Sequence, residues 1–159
     1  MKSKLDITEF RDRLKNNTKI GLPHLQMTLG LFSIFFYSSK IFYGKFNDST
    51  FQLTINYNFT FPNYIIKGKY QNINNELKLN YSVQPINKIG IVLFKIFPVV
   101  AIIIGNCFFC FNFKKNIPNF IYIIFNLLIV FTFFYSRWSL KRENKKLIKR
   151  FNKLFEIVD

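Results

Sequence analysis

The clearest pattern in this sequence is an alternation of apolar and polar residues between positions 51 and 61. Phe51 begins an apolar series that continues at every second residue, with glutamine, threonine and asparagine between its members. A period of two is typical of a strand with one buried face and one polar face. Strand-like segments at 64–70 and 76–83 follow, separated by an asparagine-rich turn. We therefore predict an antiparallel meander of four or five strands within residues 25–84.

The first part of that region, residues 25–39, is uncharged and rich in aromatic side chains. It contains only 15 residues and is interrupted by Gly30 and Ser33. A membrane-spanning helix needs about 20 apolar residues. We interpret the segment as one or two buried strands, and a third membrane segment remains the alternative.

A short helix is predicted before the sheet, over residues 6–15. Phe10 and Leu14 lie at helical spacing, and Gly21 and Pro23 follow the segment. A helix of this length needs a surface to pack against, which could be the next domain or the membrane.

Two long apolar segments follow the strands. Residues 96–113 are 18 uncharged residues and residues 117–136 are 20, so each is about long enough to span a bilayer as a helix. Only a short turn containing Lys114 and Lys115 separates them, which predicts an antiparallel helical hairpin. Tyr135 and Trp138 stand where an interfacial aromatic belt is expected.

The residues after the second apolar segment are strongly basic. Eight lysine and arginine residues lie between positions 137 and 153, against two in the turn of the hairpin. They are Arg137, Lys141, Arg142, Lys145, Lys146, Lys149, Arg150 and Lys153. Because basic residues near membrane ends are retained in the cytoplasm, we predict that both termini are cytoplasmic and that the turn is outside.

The same basic region carries an apolar stripe at helical spacing. The stripe consists of Leu140, Leu147, Phe151, Leu154 and Phe155, with Ile148 beside it. A basic amphipathic helix next to a membrane lies along anionic headgroups, so the basic residues are candidate membrane-surface contacts. Packing of the stripe under the sheet is the alternative.

Inside the hairpin, two asparagines are placed at matching depth. Asn106 lies 9.5 residues before the centre of the turn and Asn126 lies 10.5 residues after it. Because an unpaired amide in hydrocarbon is costly, we predict that they form a polar clasp by bonding to each other. Ala101 and Gly105 form a small-xxx-small pair that permits close approach of the helices.

Composition supports a membrane protein and offers little for catalysis. Half of the residues are hydrophobic, and the net charge is +15. Cys107 and Cys110 have the CxxC spacing but lie within an apolar segment, with His24 the only histidine, so we interpret them as packing residues. The eight acids form no close pair on the strand faces, and no phosphate-binding loop occurs. We predict no enzyme activity, no cofactor, no metal site and no nucleic-acid partner.

Three short sequences, FYGKF at 42–46, FQL at 51–53 and IKGKY at 66–70, occur in this order before the apolar segments and the basic tail. In this order of elements the chain resembles a family of short, uncharacterised bacterial proteins with two transmembrane helices. The resemblance covers about residues 40–155. It implies the architecture and no activity, since none is established for the family.

The predicted fold class is an α+β membrane protein with a small antiparallel sheet, a two-helix transmembrane hairpin and a basic amphipathic C-terminal helix. The expected order is a short helix and linker at 1–22, a β-rich cytoplasmic region at 23–86, the hairpin at 87–136 and the basic helix at 137–159. We expect a non-enzymatic inner-membrane protein that docks a partner protein or its own copies and contacts anionic lipid headgroups. An oligomeric pore or membrane-perturbing protein, or a lipid-binding module, are the alternatives.

Overall fold

The structure is a computed structural model, which describes residues 1–22, 39–56, 62–73, 76–112 and 118–158. These residues form two compact units. The sheet unit combines Met1–Ile86 with Glu143–Asp159, and the hairpin unit is Asn87–Arg142. The segment 25–39, for which the sequence leaves strands or a third membrane segment open, lies outside the described residues except for Ser39, and so do residues 57–61 of the alternating run.

The described residues form three helices and one mixed sheet of seven strands, an α+β arrangement. The strands are β1 Lys2–Ser3, β2 Thr18–Ile20, β3 Phe42–Phe46, β4 Thr50–Ile55, β5 Tyr64–Ile73, β6 Glu76–Pro85 and β7 Ile157–Val158. The helices are α1 Ile7–Asn17, α2 Lys88–Asn112 and α3 Asn119–Leu154.

The centre of the sheet is the predicted antiparallel meander. Strands β3, β4, β5 and β6 pair in sequence order, each antiparallel to the next. The sheet is nevertheless mixed and not purely antiparallel, because β2 pairs parallel to β3, with Thr18 opposite Phe42. The chain between Ile20 and Phe42 is long enough for the crossover that a parallel pair requires.

The two ends of the chain meet at the other edge of the sheet. Strand β1 lies between β6 and β7 and is antiparallel to both, with Lys2 opposite Lys78 on one side and Val158 on the other. Residues 1–22, expected to be a helix and a linker, therefore also contribute β1 and β2. Strands of two or three residues are too short to show a period in the sequence.

One face of the sheet is covered by α1 and by the last turns of α3. Phe10 from α1 and Phe151 from α3 are fully buried, as is Phe51 from the centre of the sheet. The ring of Phe51 lies 6.2 Å from that of Phe10 and 5.2 Å from that of Phe151. As predicted from the alternating pattern, β4 and β6 each have one buried apolar face, and the apolar residues of both strands belong to this core.

The basic region is not a separate helix. Helix α3 continues from Asn119 to Leu154 without a break, because no glycine or proline interrupts the sequence between these residues. Its apolar stripe packs under the sheet in the sheet unit, where Leu147, Phe151 and Phe155 belong to the core. Of the two alternatives for the stripe, sheet packing therefore describes the last part of the helix.

The chain leaves α3 through a tight turn that α1 holds in place. Glu156 has a positive φ of 47°, and the chain then enters β7. Arg13 donates a hydrogen bond from Nη1 to the carbonyl oxygen of Leu154 at 2.7 Å, while its Nη2 contacts Glu156 Oε1 at 2.9 Å. The guanidinium thus satisfies a carbonyl at the end of α3 and neutralises the acid beside it.

Candidate functional site

The sheet has a second face, opposite the core, whose described side chains on β3 to β6 are mostly polar. The alternation that sends the apolar residues of β4 and β6 inward sends their neighbours outward. On β5, Ile66 and Tyr70 belong to the core, whereas Ile65 lies on the opposite face and is also fully buried. We call this second face the outer face. Its central residues are Lys2, Lys45, Thr50, Gln52, Lys67, Lys69, Gln71, Lys78, Asn80 and Ser82.

The register of the strands arranges the lysines of the outer face into a diagonal band. Lys45 lies opposite Gln52, and Gln52 lies opposite Lys67 on the next strand. Two residues further along β5, Lys69 lies opposite Asn80 of β6. The band continues with Lys78, two residues before Asn80, and ends at Lys2. The sequence shows these lysines only as scattered residues, and the register brings them together.

Acidic side chains are scarce along this band. Lys2 forms an ion pair with Glu76 at 2.5 Å, at the end of the band. The hydrogen bond and the charge of Lys2 lower the pKa of Glu76 below its usual range, and the charge of Lys78 contributes in the same direction. Within the described ranges, none of the other four lysines of the band forms an ion pair with a carboxylate.

Three adjoining depressions follow the band. The first, of about 200 Å³, is lined by residues that include Lys45, Thr50 and Gln52. Thr50 and Gln52 also line the second, of about 440 Å³, together with Lys67. The third, of about 620 Å³, extends from Lys69 to Lys2 and Lys78. Neighbouring depressions share lining residues, and their linings combine amines, amides and hydroxyls with apolar residues such as Met1 and Leu79.

In the hairpin unit, the two asparagines of the expected clasp lie together. Asn106 donates from Nδ2 to Asn126 Oδ1 at 3.0 Å and to its own helix at the carbonyl of Ile102 at 2.7 Å. Asn126 donates to the carbonyl of Tyr122 at 2.9 Å. Both amides are thus engaged between and along α2 and α3.

Gly105 of α2, like Asn106, faces α3. A methyl group on Gly105 would lie 2.2 Å from Cζ of Phe125 on α3, far inside contact distance. Ala101 is half-buried one turn earlier. Gly105 therefore permits the close approach of the two helices at the level of the asparagine pair.

The eight basic residues expected at a membrane surface are all exposed along α3. Two of them lie over aromatic rings of the same helix. The guanidinium of Arg137 is 3.6 Å from the centroid of Phe133, and that of Arg142 is 4.9 Å from the centroid of Trp138. These stacking contacts extend the arginines along the helix at the end of its apolar portion.

Glu143, the one acid within the basic region, has a role that sequence reasoning missed. Its Oε1 accepts a hydrogen bond from the backbone nitrogen of Asn63 at 2.7 Å, and its Oε2 accepts one from Asn63 Nδ2 at 2.6 Å. The carboxylate therefore holds the residue that leads into β5. Its isolation among eight cations was the only signal of this role in the sequence.

No chemistry typical of a metal or redox site emerges from the part of the chain that the structure describes. Within it, no group of three or more histidine, cysteine, aspartate or glutamate side chains could hold a metal ion. Cys107 and Cys110 are free thiols exposed on α2, so they are not buried packing residues as the sequence suggested. His24 lies outside the described residues.

Comparison with known proteins finds no family model, no curated protein and no solved structure that matches this chain. The surfaces of the two units therefore carry the evidence on function.

Proposed function

We propose that this protein is a small, non-enzymatic integral membrane protein of the bacterial inner membrane, in which a two-helix hairpin tethers a cytoplasmic sheet domain that docks another protein. The observation that carries the docking role is the outer face, a lysine-rich surface with adjoining depressions. The opposite face of the sheet is already occupied by α1 and the end of α3.

The membrane part of the proposal is supported by the surfaces of α2 and α3. Both helices are long and apolar enough to cross a membrane, and only 6% of the most apolar stretch of each is buried. Helix α2 has 25 residues, which corresponds to about 37 Å at 1.5 Å per residue, against a hydrocarbon core of about 30 Å. Exposed apolar surface of this extent is stable in lipid, whereas it favours aggregation in water.

The orientation rests on charge. The eight exposed cations of α3 follow the apolar portion of the helix, while the turn between the helices carries Lys114 and Lys115. A two-span chain has both flanks on one side of the membrane, so the excess of cations supports a cytoplasmic location of the sheet unit and both termini.

A lipid-binding role is a second candidate, favoured by the exposed cations on α3. Arg137 and Arg142 lie beside aromatic rings at the end of the apolar portion, as expected for side chains at a headgroup layer. We regard contact with anionic headgroups as part of the tether. A pore is less well supported, because Asn106 and Asn126 use their amides within one hairpin.

Cysteine labelling tests the orientation. In a variant with Cys107 and Cys110 replaced by alanine, a new cysteine is placed at Asn116 or at Lys153. A membrane-impermeant maleimide added to intact cells is expected to label the Asn116 position and to label Lys153 only after lysis. Labelling of Lys153 in intact cells would contradict the proposed orientation.

Site-specific photocrosslinking tests the docking role. A benzophenone amino acid is placed at Ser82, which is exposed on the outer face, or at Asp12, which is exposed on α1. A docking surface predicts one adduct of defined mass from Ser82 and none from Asp12, with the adduct lost when Lys67 and Lys69 are replaced by glutamine. Equal adducts at both positions, or none at Ser82, would contradict docking at this face.

A further inference from the structure

We infer that the outer face receives an extended acidic polypeptide segment, laid along the diagonal band of lysines. The inference rests on the docking function proposed above and adds the chemical class and conformation of the partner. It follows from the spacing of the lysines, from the groups between them and from the scarcity of acids.

The band has the length of a short extended peptide. From β3 to β1 the sheet advances four strand intervals, about 19 Å at 4.8 Å per strand. Along the strand direction, the band runs from the level of Lys67 to the level of Lys78, which lies opposite Gln71. This is a distance of four residues on β5, or about 13 Å. The diagonal is therefore about 23 Å, which an extended segment of about seven residues covers.

The spacing of the cations fits carboxylates on alternate residues. Lys45 and Lys67 lie two strands apart at one level. Lys69 and Lys78 lie one strand and two residues apart, so these two steps are each about 8–10 Å. An extended peptide with an acid at every second position presents carboxylates on one side at a similar interval of about 7 Å. Between the lysines, Thr50, Asn80 and Ser82 line the depressions and offer hydrogen bonds to the backbone and hydroxyls of such a segment.

Apart from Lys2, which pairs with Glu76, the lysines of the band form no ion pair with a carboxylate among the described residues. Lys2 and Lys78 lie directly opposite each other on neighbouring strands, a like-charge pair that is unfavourable unless an anion lies near it. Glu76 provides one such anion at the end of the band. For the rest of the band, an incoming carboxylate supplies the missing negative charge, and complementarity of this kind also speeds association.

A nucleic acid fits the surface less well. Sheets that bind single strands stack several bases on aromatic side chains, and Tyr43 is the one aromatic residue among the described outward-facing residues of β3 to β6. The band also contains lysines only, without the arginines that bind phosphate in a bidentate manner. A membrane surface fits less well too, since Met1 is the one exposed large apolar side chain among the described residues that line the depressions.

The test is a binding measurement on the full-length protein in nanodiscs of neutral phosphatidylcholine. The probe is a fluorescently labelled nine-residue peptide that alternates glutamate and threonine, and the control peptide has glutamine in place of glutamate. We expect the acidic peptide to bind, the control peptide not to bind, and affinity to fall as salt is raised.

Two matched triple variants locate the binding. The outer-face variant K67Q/K69Q/K78Q and the helix variant K141Q/K145Q/K149Q remove the same charge from different surfaces. We expect the outer-face variant to weaken binding by about tenfold or more and the helix variant by about twofold or less. Equal loss in both variants would overturn the inference, because binding would then depend on net charge alone.

Two further measurements test whether the variants are folded and whether another class of ligand binds more tightly. The charge-reversed variant K67E/K69E is expected to bind a lysine–threonine peptide and not the acidic one, which excludes loss of fold as the cause of weaker binding. Tighter binding of oligothymidylate or of anionic vesicles than of the acidic peptide, abolished by the outer-face variant, would overturn the inference in favour of those ligands.

The crosslinking experiment separates this inference from the docking function. If the Ser82 adduct forms but the acidic peptide neither binds nor competes with it, the acidic partner is wrong and docking stands. If the Ser82 adduct is absent and the peptide does not bind, both are wrong.

Discussion

Replacement of Phe151 by alanine should unfold or strongly destabilise the sheet unit, although the residue is on the long helix α3. Phe151 is fully buried, and its ring lies 4.8 Å from that of Phe155, 5.0 Å from that of Tyr81 and 5.2 Å from that of Phe51. Truncation of a buried phenylalanine removes transfer free energy and leaves a cavity, at a combined cost of about 3–5 kcal/mol. Aromatic neighbours on β4, on β6 and in the turn after α3 leave little room for the site to collapse, so we expect a value of about 4 kcal/mol.

Hydrogen–deuterium exchange of the full-length protein in nanodiscs measures this effect locally. The amides of β5 pair with both β4 and β6, so their exchange requires the sheet to open. Since 1.36 kcal/mol corresponds to a tenfold change, a loss of 4 kcal/mol predicts exchange faster by about a thousandfold in β5. Amides in the apolar portion of α2 provide an internal reference.

The neighbouring residue supplies the control. Arg150 precedes Phe151 and is exposed, so Arg150→Ala should change the exchange of β5 by less than about threefold. If Phe151→Ala altered the exchange of β5 by less than tenfold, the end of α3 would not stabilise the sheet. The assignment of its apolar stripe to the sheet core would then be wrong.

Three further predictions concern single polar contacts. In a double-mutant cycle of Asn106→Leu and Asn126→Leu, unfolding in mixed micelles should give a coupling of about 0.6 to 1.7 kcal/mol, and additive effects would contradict the clasp. Glu143→Ala removes two charge-assisted hydrogen bonds and should destabilise the sheet unit by about 1.5–3 kcal/mol, visible as faster exchange at the start of β5; unchanged exchange would contradict this. Lys2→Gln should raise the pKa of Glu76 towards its usual range in a carbon-detected NMR titration, since the hydrogen bond and charge of Lys2 lower it. Because the folded-state pKa is lowered, this stabilisation is present above the ordinary pKa of a glutamate and is lost as the pH falls through the lowered value, and an equal pKa in both proteins would refute it.

The basic region of α3 has one side buried in the sheet unit and one side exposed. Leu147 and Phe151 lie in the core of the sheet unit, while lysines such as Lys145 and Lys149 are exposed. Substitutions in this region should therefore fall into two classes with different effects. Apolar positions should affect the stability of the sheet unit, and basic positions should affect membrane orientation and lipid contact.

Several features of this protein could be predicted from the sequence because they depend on local periodicity. The alternation from Phe51 and the segments at 64–70 and 76–83 correspond to β4, β5 and β6. The apolar segments correspond to α2 and the first part of α3. The fixed rise of a helix also let the depths of Asn106 and Asn126 be matched by counting residues from the turn.

Other features depended on tertiary structure, because they arise between residues far apart in the chain. Strands β1, β2 and β7 are too short to have a period, and their pairing with distant strands makes the sheet mixed. An amphipathic stripe reveals that one side of a helix is buried but not which surface buries it, so the packing of Phe151 under the sheet could not be decided locally. The diagonal band of lysines also arises between residues that are far apart in the chain. By itself the sequence determined which residues of β4 and β6 face outward. Only the register between strands decided that Lys45 and Lys67 lie on one line across the sheet, since hydrogen bonding between strands fixes that alignment.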